Sequence, residues 1–350
     1  MGRRCWSFGR HSARRPNGNA DCRRRVSPNW RLITLPAIAR KIIIDADPGQ
    51  DDAVAILTAL GSPDDLEVLG IAAVAGNVPL DLTVRNTLAL VELAGRTDVP
   101  VYAGSVRPMV NPPVTAEYVH GPTGLEGADL QPPTTKPAAG HACDWIVEII
   151  MDHAEAQVTV CTLGPLTNIG LALVREPRIA PKIREIVMMG GGFFEGGNTT
   201  PVAEFNVYVD PHAAHVVFTS GVPIVMMPLD VTHQALTTPE RLKLFVDMGT
   251  SAGTAVAGML DFYNKWDMEK YAMPGGPLHD PTVIAYLLEP DIFGGKEVHV
   301  HIETAPGTTQ GMTVVDWWGA TDHEPNAMVM NQIDADRFFA LLTDRIGRLP

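Results

Sequence analysis

Short apolar, β-branched runs alternate along this chain with longer stretches whose apolar residues recur at helical spacing. The clearest example is KIIIDADPGQDDAVAI at 41–56. Three consecutive isoleucines predict a buried strand. Pro48-Gly49 interrupts it, and Ala53, Ala55, Ile56 and Ala59 predict a helix with Asp51 near its N-cap. Residues 66–74 and 101–103 read as further strands, with a helix at 84–94 between them. Further on, the pattern predicts strands at 158–163, 183–189 and 224–227 and helices at 144–154, 210–218, 240–248, 255–263 and 281–288. A helix opens at Leu166-Thr167-Asn168. Residues 298–304 and 313–317 read as a late hairpin forming an antiparallel edge, and 333–346 as a closing helix. Glu204 and Asn206 flank Phe205, which places both on one face of a strand.

Regular alternation of strand and helix, without a repeat or clean linker, predicts an α/β fold. Its expected form is a single-domain, open, mostly parallel sheet flanked by helices. Sites in such sheets form outside the carboxyl ends of the strands. The segments at Asp45–Asp52, Asn77, Leu163 and Met189 all fall at such ends. Residues 105–140 are rich in Pro, Gly and Thr and too long for a simple connection, which predicts a functional loop. Within it, His120-Gly121-Pro122-Thr123-Gly124 is the expected mobile flap.

Charge divides the chain. Residues 1–40 hold ten Arg and one Asp, a sum of +9, whereas the whole chain is −13, leaving −22 on the remainder. Residues 1–38 lack apolar periodicity and are expected to be a disordered, Arg-rich extension to a domain spanning 39–350. An organelle transit peptide has a similar composition. A twin-arginine export signal would need an apolar stretch after Arg3-Arg4, and none follows. The preferred reading is a non-essential extension or an over-long start. The acidic body argues against nucleic-acid binding and suits neutral substrates and bound cations. No run of eighteen apolar residues exists, so no membrane span is expected. The four cysteines have no zinc-ligand or disulfide spacing, which points to the cytoplasm.

Asp45, Asp47, Asp51 and Asp52 crowd one strand-to-helix turn. Such charge needs a cation or hydrogen-bond donors to offset it. One reading is an acidic cap with a solvated loop; the other is an all-oxygen site for a hard divalent cation. Read alone, Asp280 before Pro281 is a helix cap, and Asn77 and Asn198 are turn residues.

The DxDPGxDD stretch resembles the N-terminal fingerprint of the inosine-uridine-preferring nucleoside hydrolases. Four further stretches resemble the same family: TLGPLTN at 162–168, MMGGGFFEGGNTTPVAEFN at 188–206, DVTH at 230–233 and HDP at 279–281. The resemblance runs from about Lys41 to the C-terminus. It implies Ca²⁺-dependent hydrolysis of the N-glycosidic bond of purine or pyrimidine ribonucleosides, in a homodimer or homotetramer. It implies a Ca²⁺ ion held by Asp47, Asp52, Asp280 and the Leu163 carbonyl, with Asp47 also the general base. The same resemblance assigns ribose contacts to Asp51, Asn77, Asn198, Glu204 and Asn206, with Met189 near the sugar. His120 matches the flap position, and Phe262, Tyr263 and Tyr271 lie where the nucleobase would be covered. His279 matches an active-site histidine that protonates the leaving base, with an ordinary pKa near 6.5 suited to that task. Trp266 receives no role, and His233 is expected to be structural.

Two rival readings remain. In a haloacid-dehalogenase-type phosphatase Asp45 would be the nucleophile, but Gly49 stands where that family wants Thr or Val. A catalytically silent nucleoside-binding protein is the other, since fold does not fix function. The extension carries no core pattern, so deleting residues 1–38 is expected to leave melting temperature and turnover within error. A large loss of either would show that the extension packs on the domain or covers its site.

Overall fold

The strand β1 (Arg40–Ala46) runs through the middle of the molecule because its isoleucines must be covered on both faces. The computed structural model describes residues 39–350, apart from the side chains of Asp267 and Tyr271; the extension at 1–38 lies outside the described residues. Alternate residues of a strand point to opposite faces. Ile42 and Ile44 accordingly join one core with helix α1 (Gln50–Leu60), while Ile43 joins a second core with helices Ala142–Asp152 and Thr167–Arg175.

The remaining parallel strands follow in turn: β2 (Leu66–Ala73), β3 (Val101–Ala103), β4 (Val158–Thr162), β5 (Ile183–Met189) and β6 (Ile224–Met227). In space the order is β3-β2-β1-β4-β5-β6, continued by Ala327–Ile333 and edged by Phe293–Val298. β1 pairs in parallel with both β2 and β4, Ile44 lying opposite Ile71 and Cys161. The order therefore reverses at β1, and the chain leaving β1 and the chain leaving β4 diverge to opposite faces. Such a switch point opens a crevice at the strand ends. The turn Asp47–Gly49 and Leu163 sit there.

Helix α1 is buried along its whole length, residues 50–60 included without exception. Its N-cap is Gly49, so the helix begins earlier than the sequence pattern suggested, and Asp51 and Asp52 occupy its first turn. Asp52 reaches back to accept the Gly49 N–H at 3.0 Å. That contact satisfies a helix-end donor and suits the positive end of the helix dipole.

Three expectations change. The stretch 298–304 does pair with 313–317 as a hairpin, but as the separate pair Val300–Ile302 and Thr313–Val315. The antiparallel edge of the main sheet is instead Phe293–Val298 on Ala327–Ile333. Ala327–Ile333, unassigned from sequence, is a strand that pairs with β6 on its other side through Met328 and Val329. Phe205 begins a short helix, Phe205–Val209, rather than lying in a strand. Among the described residues no helix is long and apolar enough to cross a membrane. Cys143 and Cys161 are free and buried.

Candidate active site

The aspartates of the β1–α1 turn are packed where water scarcely reaches: Asp45, Asp47, Asp51 and Asp52 are 0–4% exposed. Asp280, at the start of helix Pro281–Leu288, joins them from the far end of the sequence. One carboxylate oxygen each from Asp51, Asp52 and Asp280 lies within 4.8 Å of the others, a group that could hold a metal ion. Burial raises the proton affinity of every member, and neighbouring carboxylates add to it at Asp47, Asp51 and Asp280. Asp51 is pushed up to about 8 and Asp52 to about 6, while Asp47 and Asp280 move well above the ordinary range. A cation would reverse that shift by favouring the ionised forms.

The donor set fits such an ion. Asp47 Oδ1 and Asp51 Oδ1 are buried without a hydrogen-bond partner. Buried polar oxygens are rarely left so, and unpaired ones point to an ion or water. Asp47 lies outside the three-carboxylate group but is bolted to it: Asn77 donates its backbone N–H to Asp47 Oδ2 at 2.7 Å and its Nδ2 to Asp52 Oδ2 at 3.2 Å. The Leu163 carbonyl accepts from Asn206 Nδ2 at 2.7 Å, with a second lone pair left over.

Beside this cluster lies a cavity of about 270 Å³. Asp51, Asn77, His120, Leu163, Met189 and Asn198 line it, as do Glu204, Asn206, Tyr263, His279 and Asp280. Of the residues singled out from sequence, Asp47, Asp52 and Phe262 do not line it. Glu204 caps its short helix, accepting from the N–H groups of Asn206 and Val207, and also from Gly191 at 2.8 Å. Burial pushes its carboxyl up to about 7 against those bonds. The Asn198 carbonyl oxygen accepts the Phe205 N–H at 3.0 Å, so its NH₂ is what remains to offer a ligand. Met189 places its sulfur 3.6 Å from Asn206 Nδ2.

His120 is anchored rather than loose. It closes the short helix Glu117–His120, is buried, and meets Gln50 Oε1 through Nδ1 at 2.7 Å. Tyr263 stacks on its ring at 5.5 Å. Phe262 does not line the cavity, and the Tyr271 side chain lies outside the described residues.

His279 is 8% exposed, with Nδ1 2.7 Å from Thr232 Oγ1. Burial holds its pKa well below the ordinary value, with His233 and His120 lowering it further. The expectation of a freely titrating imidazole is therefore replaced by a neutral ring. A desolvated imidazole with positive or potentially positive neighbours resists taking up charge.

Two residues weighed from sequence but given no ligand role line the cavity as well. His233, expected to be structural, lines the cavity, its Nδ1 3.2 Å from Glu195 Oε2. Trp266 lines it too, tilted against Tyr118 at 5.2 Å, with Lys270 Nζ 5.0 Å from its ring centre. Tyr263, Trp266 and Lys270 share helix Ser251–Tyr271 at spacings of three and four, which put them on one face. That spacing was visible beforehand; what faced it was not. Asp45, the nucleophile of the phosphatase reading, is fully buried, hydrogen-bonded by Asn168 Nδ2 at 2.7 Å, and absent from the cavity wall. That reading falls.

The comparisons with known proteins agree with one another. A family model described as inosine-uridine preferring nucleoside hydrolase matches residues 42–340. An uncharacterised protein of Schizosaccharomyces pombe is 49% identical over 310 residues, covering 89% of this chain and 100% of its own. The pyrimidine-specific ribonucleoside hydrolase RihA of Escherichia coli strain K12 is 44% identical, with 88% and 99% covered. Among solved structures, the purine-preferring ribonucleoside hydrolase from Gardnerella vaginalis superposes with a TM-score of 0.82 at 33% identity, covering 88% of this chain and 98% of that one.

Two glycines decide where the Asp47 carboxylate can stand. A Cβ at Gly76 would lie 2.0 Å from its Oδ2, and one at Gly164 2.1 Å from its Oδ1. Gly76→Ala and Gly164→Ala are each expected to turn that carboxylate and lower turnover by about a hundredfold, as small displacements of reacting groups do. Circular dichroism should show both variants folded. Wild-type turnover in either would show that Asp47 need not hold this position.

Proposed function

Because this chain belongs to the inosine-uridine preferring nucleoside hydrolase family, and is an N-glycosidase acting on ribonucleosides, we propose that its preferred substrates are pyrimidine ribonucleosides. The observation that carries this preference is the 44% identity, over nearly the whole of both chains, to a relative named as pyrimidine-specific. The proposed products are ribose and the free base. The carboxylates of Asp51, Glu204 and Asp280 on the cavity wall would repel an anion, which supports a substrate without negative charge of its own. The catalytically silent alternative would be favoured by loss of a cluster carboxylate, and each is present. We keep the domain at 39–350 with residues 1–38 dispensable, and place the enzyme in the cytoplasm, a reading the two buried free thiols support.

The proposed cofactor is Ca²⁺, held by Asp47, Asp52, Asp280 and the Leu163 carbonyl. A large, all-oxygen donor set favours it over the smaller Mg²⁺. When bound, such an ion offsets the buried negative charge and makes a neighbouring water easier to deprotonate. Asp47 is the proposed base, and Gly76 and Gly164 leave its oxygens room to receive that water's proton. Asp51 and Asn77 face the ribose hydroxyls, with Asn198, Glu204 and Asn206 at its other end and Met189 packed beside it. His120 and Tyr263 close over the ligand. Bond cleavage develops positive charge on the sugar, as in other glycosidases, and negative charge on the leaving base.

His279 is proposed to act on that base. Its ring is neutral, so with Thr232 at Nδ1 it serves as a hydrogen-bond donor through Nε2 rather than as a resident imidazolium. Such donors matter most where charge develops in the transition state.

Reducing-sugar release from a panel of ribonucleosides tests the substrate reading. Uridine and cytidine should outpace inosine, and 2′-deoxyuridine should fall by up to about 10⁴, because a site built to pair a hydroxyl rejects an analogue lacking it. Faster inosine cleavage would remove the pyrimidine preference; no release from any nucleoside would remove the function. Metal analysis should find about one Ca²⁺ per chain, lost in Asp52→Ala together with its protection against heat. Stoichiometric zinc, or unchanged melting after exhaustive chelation, would overturn the assignment.

His279→Ala should slow uridine cleavage by about a hundredfold with little change in KM. p-Nitrophenyl riboside, whose leaving group needs no help, should be nearly spared. Equal losses on both substrates would end the leaving-group role.

A further inference from the structure

The motif position between Gly49 and Asp51 is held by Gln50, a polar side chain with no solvent exposure. Its amide is fully committed. Nε2 donates to the His120 carbonyl at 3.0 Å and to the Glu126 carbonyl at 3.3 Å. Oε1 meets His120 Nδ1 at 2.7 Å. The orientation of this amide follows from its partners. Two carbonyl oxygens accept only, so the NH₂ must face them, and a flipped amide would set oxygen against oxygen twice.

With Oε1 fixed as an acceptor, His120 Nδ1 must carry the hydrogen in that contact. Burial also pushes the His120 pKa down to about 3, so the ring is neutral and holds a single proton. Nε2 is then a bare lone pair on a residue of the cavity wall. The ring has little freedom to escape the arrangement. It lies against the turn closely enough that a Cβ at Gly49 would meet Nδ1 at 2.3 Å, and Tyr263 stacks on it.

We propose that Gln50 is a positioning residue that fixes His120 in its Nδ1–H tautomer, leaving Nε2 as an acceptor for a hydroxyl or N–H of the bound substrate. That the substrate is a nucleoside rests on the function proposed above; the tautomer does not. The donor has two sources in such a substrate, the 5′-hydroxyl of the sugar and the N3–H of uracil. A pocket acceptor of fixed polarity discriminates against ligands that present a lone pair at the same place.

Long-range ¹H–¹⁵N spectra of the full chain, labelled at histidine, test the tautomer without turnover. His120, identified by its loss in His120→Ala, should show a pyrrole-type Nδ1 and a pyridine-type Nε2. The reverse pattern in the wild type overturns the proposal whatever the enzyme hydrolyses, and it does so whether or not Gln50→Leu folds. Gln50→Leu should erase the tautomer bias. It should raise KM for uridine about tenfold with kcat changed less than twofold, the pattern of a lost ground-state contact. In a His120→Ala background, the same substitution should have no further effect. Equal effects in both backgrounds would make Gln50 merely structural and overturn its positioning role. With 5′-deoxyuridine or N3-methyluridine, the analogue that has lost the donor should no longer respond to Gln50→Leu. A full response with both would overturn the acceptor role of Nε2.

Discussion

The structure at the strand ends depends on keeping negative charge in a place that water barely enters. Four carboxylates from one turn and a fifth from Asp280 are buried together, and burial alone drives their proton affinities upward. Unpaired buried charge is among the costliest features a fold can hold. Here part of the offset is built from the chain itself. Backbone N–H groups of Asp47 and Gly49 point at Asp52, the start of α1 adds its dipole, and Asn77 spans Asp47 and Asp52. The remainder is a demand for positive charge. This explains why an enzyme acting on an uncharged ligand carries so acidic a centre.

That demand accounts for the polar bolts around it. Asn168 donates to Asp45 and to the Ala73 carbonyl and accepts the Ser105 N–H, tying together the ends of β1, β2 and the loop after β3. Asn86 donates to the carbonyls of Pro48 and Thr123, and Gln50 ties the same turn to His120 and Glu126. Each of these buried amides joins the aspartate turn to a segment far away in sequence. Fully satisfied buried amides specify one arrangement, because any slip leaves polar atoms unpaired. The glycines at 76 and 164 serve the same end by omission, since a side chain at either would strike Asp47.

The cavity wall is built differently. The side formed by Asp51, Asn77, Glu204 and Asn206 is dense with buried polar groups, while Tyr118, Trp266 and Lys270 come together at the face of helix Ser251–Tyr271. Contacts of that kind tolerate exchange at small cost, so they are where base preference can diverge. A solved structure named as purine-preferring shares the fold of this chain, and a relative named as pyrimidine-specific is 44% identical to it.

The sequence by itself determined the strand–helix alternation, the position of the Asp45–Asp52 turn after a buried strand, and many of the polar residues of the cavity wall. These are local matters: the three isoleucines, the Pro48-Gly49 break and the short fingerprints each carry their meaning within a few residues. Tertiary structure decided the rest, because the deciding partners lie far apart in the chain. Ala327–Ile333 became a strand only because β6 and Phe293–Val298 were there to pair with it. Glu204 became a helix cap because the N–H groups of residues 206 and 207 needed an acceptor. His233 acquired a place in the cavity by meeting Glu195. His279 lost its ordinary titration because packing removed its water, a property that no spacing of residues along a chain can express.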